Sequence, residues 1–384
     1  MSKSDPSRLK VKKSFSVSGI ALCVDRVPET GLLYFGNSDF KVYEVDALAE
    51  KPEPEPFEAP GHQSYVMGVA LSGSTLVSGS YDGKLIWWNR ETRQPMRTVE
   101  AHSRWIRRVM ASPDGSLIAS VADDMLAKVW NAETGELVHT LKDHKPETPN
   151  HFPSMLYAVA FSPDGKWLAT GDKVGHVAIW DVKSGQKTGE VETPRMYTWD
   201  PKQRRHSIGG IRSLAFSHDS KLLAIGGIGK IGNIDHLGGP SRVEVFDWQK
   251  KERLHEIEDD KMKGLVEQLA FDPDGQWLLG SGGDHNGFVN LYSVETGKIL
   301  KQEKAPMHVH EFVLNEDSNQ MFAVGHGKIA LVEFLSEEAE KTRDEAAKKA
   351  AEEKKAAEEK AKAEEAAAKA AEEAKAKEEA KKDS

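Results

Sequence analysis

The chain has 384 residues, of which 39% are hydrophobic, and it contains 32 Gly and 9 Trp, a composition that suits many short strands joined by tight turns. Its formal net charge of −9 at pH 7 argues against generic attraction to nucleic acid or to an anionic membrane. Because Cys23 is the single cysteine, a disulfide within the chain and a Cys-rich zinc site are excluded.

The first segment, residues 1–17, is polar and basic, and it has no apolar core of signal-peptide length. No later segment approaches the roughly 18 apolar residues that span a bilayer. We therefore expect a soluble, cytoplasmic protein with no membrane partner. Within this segment, residues 7–13 alternate around Leu9 and Val11, which predicts a strand.

One unit then recurs along the chain. It consists of a short apolar strand, a tight turn, a second strand, a Gly/Asp turn and a third strand that ends in Trp-Asn, Trp-Asp or a related pair. In three copies the first turn reads Pro-Asp-Gly, at residues 113–115, 163–165 and 273–275, where proline presets one backbone angle and glycine tolerates a positive φ. Clear and weaker copies together, from residue 20 to residue 335, number seven.

This pattern resembles the WD40 family, whose signature is matched by His62, the stretch Ser78-Gly79-Ser80-Tyr81-Asp82-Gly83 and the pair Trp88-Asn89. The resemblance covers roughly residues 7–335. It implies an all-β, seven-bladed WD40-type β-propeller over residues 1–335, in which four-stranded sheets close into a ring. Residues 7–13 are expected to supply the missing outer strand of the last blade.

Two sets of residues have the types found in a hydrolase triad, but the resemblance implies that each forms a structural hydrogen-bonded tetrad within a blade. The sets are His62, Ser78, Asp82, Trp88 and His102, Ser120, Asp124, Trp130. The fourth blade has Val174 where the aspartate is expected. We therefore expect the tetrad to be lost there and the later blades to be less regular.

Three long connections interrupt the repeat, at residues 145–155, 193–210 and 228–242, and strand alternation predicts that all three lie on one face of the ring. Loops on a rigid scaffold commonly carry binding sites. In the resembled family, partners bind there through one position of each inner strand. That position is occupied by Ser18, Met67, Arg107, Tyr157, Arg212, Glu267 and His310, with Tyr65, Tyr81 and Trp105 beside it.

Three other motifs receive structural interpretations. Residues 227–232 match GxGxxG, but residues 233–240 cannot begin the helix that a nucleotide site requires, so no cofactor is expected. His308, His310 and His326 have no acidic or cysteine partner at ligand spacing, so no metal site is expected. A basic and aromatic stretch is interpreted first as a solvated loop, then as a protein contact, and last as a nucleic-acid site. Its residues are Met196, Tyr197, Trp199, Lys202, Arg204, Arg205 and His206.

From residue 336 to residue 384 the sequence is of low complexity and rich in Ala, Glu and Lys. Helix propensity and charge pairs such as Glu337/Lys341 predict one charged α-helix of about 45 residues. A coiled coil would have only alanine in its seam, so self-association through this tail is expected to be weak.

The sequence thus favours a non-enzymatic scaffold that binds other proteins on the loop-rich face. No catalytic residues are assigned, because no GxSxG, HExxH, CxxC or P-loop pattern occurs. Two alternatives stay open. One is an enzyme or a small-ligand-binding propeller that uses the central channel, and the other is a structural oligomer assembled through the tail.

Overall fold

A computed structural model describes residues 4–57, 60–202, 205–346, 348 and 349. The chain divides into two compact units, one of residues Asp5–Phe334 and one formed by the remaining terminal residues. In the described part of the chain, no helix is long and apolar enough to cross a membrane.

The larger unit consists almost entirely of antiparallel strands. A 3₁₀ helix, Pro6–Arg8, comes first and a second one, Pro194–Met196, precedes a β-hairpin. The strands, in chain order, are β1 Lys10–Arg26, β2 Leu32–Asn37, β3 Val42–Asp46, β4 Glu55–Pro56, β5 Val66–Ser72, β6 Thr75–Ser80, β7 Lys84–Asn89, β8 Pro95–Glu100, β9 Ile106–Ala111, β10 Leu117–Ala122, β11 Ala127–Asn131, β12 Leu137–Leu141, β13 Leu156–Phe161, β14 Trp167–Asp172, β15 His176–Asp181, β16 Lys187–Glu192, β17 Tyr197–Asp200, β18 His206–Gly209, β19 Ser213–Phe216, β20 Leu222–Ile228, β21 Pro240–Asp247, β22 Glu252–Lys263, β23 Leu265–Phe271, β24 Trp277–Gly283, β25 Gly287–Ser293, β26 Ile299–Ala305, β27 Val309–Leu314 and β28 Gln320–Glu333.

These strands form six large sheets. Five have four strands each, namely β5–β8, β9–β12, β13–β16, β19–β22 and β23–β26, and the sixth has the order β27-β28-β1-β2-β3-β4. Strands β17 and β18 form a separate hairpin. Around the ring, β1 contacts β5, which contacts β9, and so on through β13, β19, β23 and β27 back to β1.

The prediction of seven separate blades is wrong, because the described strands form six large sheets, and two of the seven inner strands, β1 and β27, belong to the same sheet. The strands expected to form the first and the last blade are joined in one six-stranded sheet. The physical reason is the long strand β1, whose first half pairs with β28, from Lys10↔Glu333 to Ser16↔Lys328, and whose second half pairs with β2. The strand expected at residues 7–13 begins only at Lys10, because Pro6–Arg8 form the 3₁₀ helix.

Large apolar side chains fill the space between neighbouring blades. Trp87 is fully buried and packs with Val77, Ile106 and Val109 between the β5–β8 and β9–β12 sheets. Its indole nitrogen donates a hydrogen bond to the carbonyl oxygen of Ala132 at 2.8 Å, so the one polar atom of the ring is satisfied. Burial of one such side chain stabilises the fold by about 3 kcal/mol, so apolar packing of this kind holds neighbouring blades together.

The three long connections meet, as the sequence predicted. The Tyr197 hydroxyl of the second connection donates to Asn150 of the first at 2.8 Å, and Thr198 Oγ1 accepts from the backbone amide of Ile231 in the third at 3.1 Å. The aromatic residues of the 196–206 stretch take part, since Trp199 packs on Phe152 with ring centroids 5.2 Å apart. The described part of this stretch is therefore a packed hairpin, and Arg204 lies outside the described residues.

The prediction of a long helical tail is wrong. The helix in the smaller unit covers residues 337–346, and residues 347 and 350–384 of the predicted tail lie outside the described residues. The predicted pair Glu337/Lys341 does form, with a 3.0 Å contact, but both side chains are exposed. Exposed pairs contribute only about 0.2–0.5 kcal/mol each, and the tail has no apolar stripe that could add packing energy.

Candidate functional site

One irregularity recurs in the inner strands and builds the mouth of the central channel. In six of these strands the pairing register shifts by one residue, which leaves one residue out of the ladder. The residues so displaced are Leu22, Met67, Arg107, Tyr157, Glu267 and His310. A β-bulge of this kind turns a side chain away from the sheet. All six line one cavity of about 520 Å³, which we call the mouth cavity.

The structure brings the residues predicted for partner binding together. Of the ten, eight line the mouth cavity, and Trp105 stacks on Tyr81, which is one of the eight. Ser18 does not line it. The inner part of β1 begins only at Ala21, after β1 has separated from β28 near Ile20, so Leu22 holds the position that was assigned to Ser18.

Aromatic rings and arginines form a continuous layer on one side of the mouth cavity. Tyr81 and Trp105 are stacked, with centroids 4.6 Å apart and an interplanar angle of 10°. The Arg107 guanidinium lies 4.9 Å from the Tyr81 ring, 5.2 Å from Trp105 and 5.2 Å from Tyr157. Arg212 covers the other end of Tyr157, 3.7 Å from its centroid. We call these five residues the aromatic stack.

The aromatic stack is held in place by hydrogen bonds. Arg107 donates to both carboxylate oxygens of Asp123, at 2.8 and 2.6 Å, and to the Tyr81 hydroxyl at 2.6 Å. Arg212 donates to the carbonyl oxygen of Gly209 at 3.2 Å. Such a preorganised surface loses little side-chain entropy when it is covered.

Arg108 is a residue of this site that sequence reasoning missed. It is 9% exposed, and its guanidinium contacts Gln268 and Glu311, each at 2.5 Å, so it joins β9 to β23 and β27 across the channel. Glu311 also accepts from the backbone amide of Val24 at 2.9 Å. The available signal was a second arginine, directly after Arg107, in an inner strand whose other residues are apolar.

A second group at the mouth cavity consists of histidines and one carboxylate. The rings of His308 and His310 are stacked with centroids 4.6 Å apart, and the ring of His326 lies 4.9 Å from that of His310. Glu267 Oε1 lies 3.6 Å from His308 Nε2. No acidic residue lies at ligand spacing from these histidines in the sequence, but the structure places Glu267 beside His308, because β23 and β27 are neighbours in the ring.

The surroundings shift the pKa values of these groups in different directions. Burial alone raises the pKa of Glu267, but His308 and Arg212 lower it to about 2. Burial lowers the pKa of His310 to about 4. Burial also lowers the pKa of His308, but Glu267 raises it above its usual value. At neutral pH the group therefore combines an ionised carboxylate with a neutral His310.

The predicted tetrads lie within blades, away from the mouth cavity. His62 contacts Asp82 through Nδ1 at 3.1 Å and Ser78 through Nε2 at 2.7 Å, and the Trp88 indole donates to Ser78 at 2.8 Å. Burial alone raises the pKa of Asp82, but His62 and two backbone amides lower it below its usual value. The second set, His102, Ser120, Asp124 and Trp130, repeats this geometry.

A third tetrad occurs where the sequence predicted its loss. His144 contacts Asp172 through Nδ1 at 2.9 Å and Thr170 through Nε2 at 2.8 Å, and Trp180 donates to Thr170 at 3.0 Å. The aspartate comes from the end of β14, two residues before Val174. The family pattern does not reveal this tetrad, because Asp172 stands two residues earlier in its blade than Asp82 and Asp124 stand in theirs.

Comparison with known proteins agrees with this geometry. The family described as "WD domain, G-beta repeat" matches residues 56–89, 93–131, 135–181 and 253–293. "Eukaryotic translation initiation factor 3 subunit I" of Candida albicans is 28% identical over 215 residues, which are 55% of this chain and 55% of that protein. "WD repeat-containing protein VIP3" of Arabidopsis thaliana is 29% identical over 208 residues, 54% of this chain and 58% of that protein.

A further relative, human "Pre-mRNA-processing factor 17", is 24% identical over 285 residues, which cover 64% of this chain and 45% of that protein. The chain thus spans little more than half of the length of the first two relatives and less than half of this one. Each likeness shows what this chain is similar to, and it reaches no further than the matched regions.

Proposed function

Because this chain carries repeats of the WD40 family, we propose that it is a non-enzymatic scaffold that binds other proteins at the mouth cavity. The aromatic stack is the observation that carries this proposal. Tyr, Trp and Arg are the residues in which protein-binding energy is concentrated, and here they form one rigid, contiguous surface.

Exposure supports the same assignment. Trp105 is 50% exposed and Tyr65 is 44% exposed, and Tyr65 continues the surface because its ring lies 5.8 Å from that of Tyr81. Neighbouring exposed aromatic rings leave apolar area in water that a partner would cover. Leu237, from the connection 228–242, also lines the mouth cavity, so a partner would meet loop and ring together.

The names of the relatives favour assembly over catalysis. One is by name a subunit of a translation initiation factor, and another is a pre-mRNA-processing factor. We carry over only the general role of protein binding, since the matched regions cover about half of those proteins. A cytoplasmic location is part of the proposal and rests on the sequence argument alone.

The test compares two double variants of the full chain by affinity capture from the native cell and mass spectrometry. Tyr65→Ala with Trp105→Ala removes the exposed rings of the mouth, whereas Met96→Ala with Leu137→Ala removes exposed apolar side chains from the outer strands β8 and β12. We expect the first variant to lose its partners and the second to keep them, because a central aromatic residue is worth about 2 kcal/mol or more.

Arg107 is a poorer target for this test than Tyr65 and Trp105. Arg107→Glu would place a carboxylate beside Asp123, with which Arg107 is paired at 2.6 Å, so it would disturb the fold as well as the surface. The exposed pair Tyr65 and Trp105 avoids this problem. Capture of the same proteins by the Tyr65→Ala/Trp105→Ala variant, at equal thermal stability, would refute the proposed function.

A further inference from the structure

We propose that Glu267, His308 and His310 form a binding site for one divalent transition-metal ion such as zinc. Each side chain offers one ligand atom, and the three atoms lie within 4.8 Å of one another. Imidazole nitrogens and a carboxylate oxygen are ligands that zinc accepts, and three protein ligands with one open position form a known type of zinc site. This inference goes beyond protein binding and does not depend on it.

Two buried ring nitrogens of this group make no hydrogen bond, although one of them, His308 Nε2, lies 3.6 Å from Glu267 Oε1. Among the residues that the structure describes, Nε2 of His308 and Nε2 of His310 are buried and have no hydrogen-bond partner. A buried polar atom without a partner costs about 1–3 kcal/mol, so native structures rarely keep one without a reason. A metal ion bound to both nitrogens would remove this cost.

The orientation of His308 suits a metal ligand. Its Nδ1 donates a hydrogen bond to the carbonyl oxygen of Asp284 at 2.8 Å, so Nε2 is the nitrogen that a metal ion would bind, in place of a proton on Nε2. Metal-binding histidines are commonly held in this way by a carbonyl or carboxylate acceptor. His308 Nε2 lies 3.6 Å from Glu267 Oε1, close to the roughly 3.4 Å that separates ligand atoms in tetrahedral zinc.

The surroundings allow a fourth ligand. His326 is exposed and its ring lies 5.3 Å from that of His308, so it or a water molecule can occupy the fourth position. The positive charge of Arg212 nearby would repel a metal ion, and the ionised Glu267 offsets that charge. The mouth group therefore brings its own negative charge to a cation.

A second group with suitable residue types, Asp143, His176 and Glu190, lies elsewhere and serves as the internal comparison. The side-chain atoms of this second group that could bind a metal ion already make hydrogen bonds. Both ring nitrogens of His176 are hydrogen-bonded to carboxylates, and Lys187 contacts both Asp143 and Glu190 at 2.7 Å. A metal ion would have to displace these partners, so the mouth group is the better site.

The experiment uses the full chain without a histidine tag, stripped with a chelator. Zn²⁺ is titrated by calorimetry, and Co²⁺ is titrated by the visible absorption that reports its coordination. The variants are Glu267→Gln, His308→Gln and His310→Gln, and the controls are the exposed His151→Gln and the second-group His176→Gln. Thermal melting of each metal-free variant shows whether it is folded.

We expect one high-affinity ion per wild-type chain, and an affinity lower by more than about 100-fold in each mouth variant, since loss of an outer-shell partner alone costs 10–100-fold. The controls should bind as the wild type does. If a histidine variant fails to fold, the Glu267→Gln variant tests the proposal, because glutamine keeps the shape of the side chain. The proposal is overturned if folded mouth variants bind like the wild type, if the wild type binds no ion more tightly than they do, or if His176→Gln removes the binding.

Discussion

Hydrogen bonds at single residues decide how each blade is closed. In each tetrad one hydroxyl accepts from a tryptophan indole and contacts a histidine, so three buried polar groups are satisfied at once. The sets of His62 and His102 could be predicted because they match the family pattern residue by residue. The set of His144 could not, because Thr170 replaces serine and Asp172 reaches the histidine from a different backbone position.

The first prediction concerns Thr170. Thr170→Val keeps the shape of the side chain but leaves His144 Nε2 and the Trp180 indole without their partner, so we expect a loss of about 1–3 kcal/mol in unfolding free energy. Urea denaturation measures it. The control is Thr140→Val, an exposed threonine on β12. Equal stability of the two variants would show that the Thr170 hydroxyl does not hold the tetrad.

The second prediction concerns pH. Burial alone lowers the pKa of His176, but hydrogen bonds to Glu192 at 2.6 Å and to Asp143 at 2.7 Å raise it to about 9. The pKa of an unfolded histidine is about 6.5. Between that pH and about pH 9, the folded chain therefore holds up to about one proton more than the unfolded chain. This contribution to stability is full below pH 6.5 and is lost as the pH rises toward 9.

Urea midpoints measured from pH 6 to pH 9 test this dependence. We expect His176→Gln to remove the part of the decline that lies above pH 6.5. His151→Gln should keep it, because the His151 side chain is 90% exposed. A wild-type midpoint that is constant across this interval would contradict the assignment.

The inner strands position the side chains of the mouth cavity through a β-bulge that recurs in six of them. The sequence predicted most of the displaced residues, since each follows the first apolar residue of an inner strand. It misplaced Ser18, because the start of the inner part of β1 depends on pairing with β28, which is remote in sequence. For the same reason it could not place Glu267 beside His308, although the meeting of the three connections followed correctly from strand alternation.

The third prediction concerns the contact between inner strands. A Cβ atom added at Gly68 on β5 would lie 2.5 Å from the backbone nitrogen of Val109 on β9. Gly68→Ala should therefore force neighbouring blades apart and lower the unfolding free energy by about 1–3 kcal/mol. Gly232→Ala is the matched control, because nothing lies within 4 Å of its added Cβ. Indistinguishable urea midpoints would mean that the strands can separate at no cost.

At the scale of the whole molecule, closure and the channel depend on contacts between distant segments. The repeat predicted an all-β propeller, but the number of separate sheets depends on which strands share hydrogen bonds, and no single segment encodes that. Helix propensity predicted a tail helix of about 45 residues, whereas the described helix covers residues 337–346. Arg108 and Glu311 join strands on separate blades through a buried ion pair, which only the closed ring brings together.

The fourth prediction concerns this ion pair. Arg108→Met should leave Glu311 buried without its cation and lower the unfolding free energy by about 3–5 kcal/mol. The double variant Arg108→Met/Glu311→Leu should be more stable than Arg108→Met alone, because the unpaired charge is gone. A double-mutant cycle measures this coupling. Strictly additive losses would show that the two residues act independently.

The shared sheet also sets an order of events during synthesis. Lys10–Ser16 are made before the other strands of the propeller, but their partners on β28 end at Glu333, so this edge waits for nearly the whole propeller to be made. An unpaired strand edge invites pairing with other chains, and lysines discourage it. Lys10, Lys12 and Lys13 lie on this edge, so we expect their positive charge to discourage pairing with other chains until β28 is made.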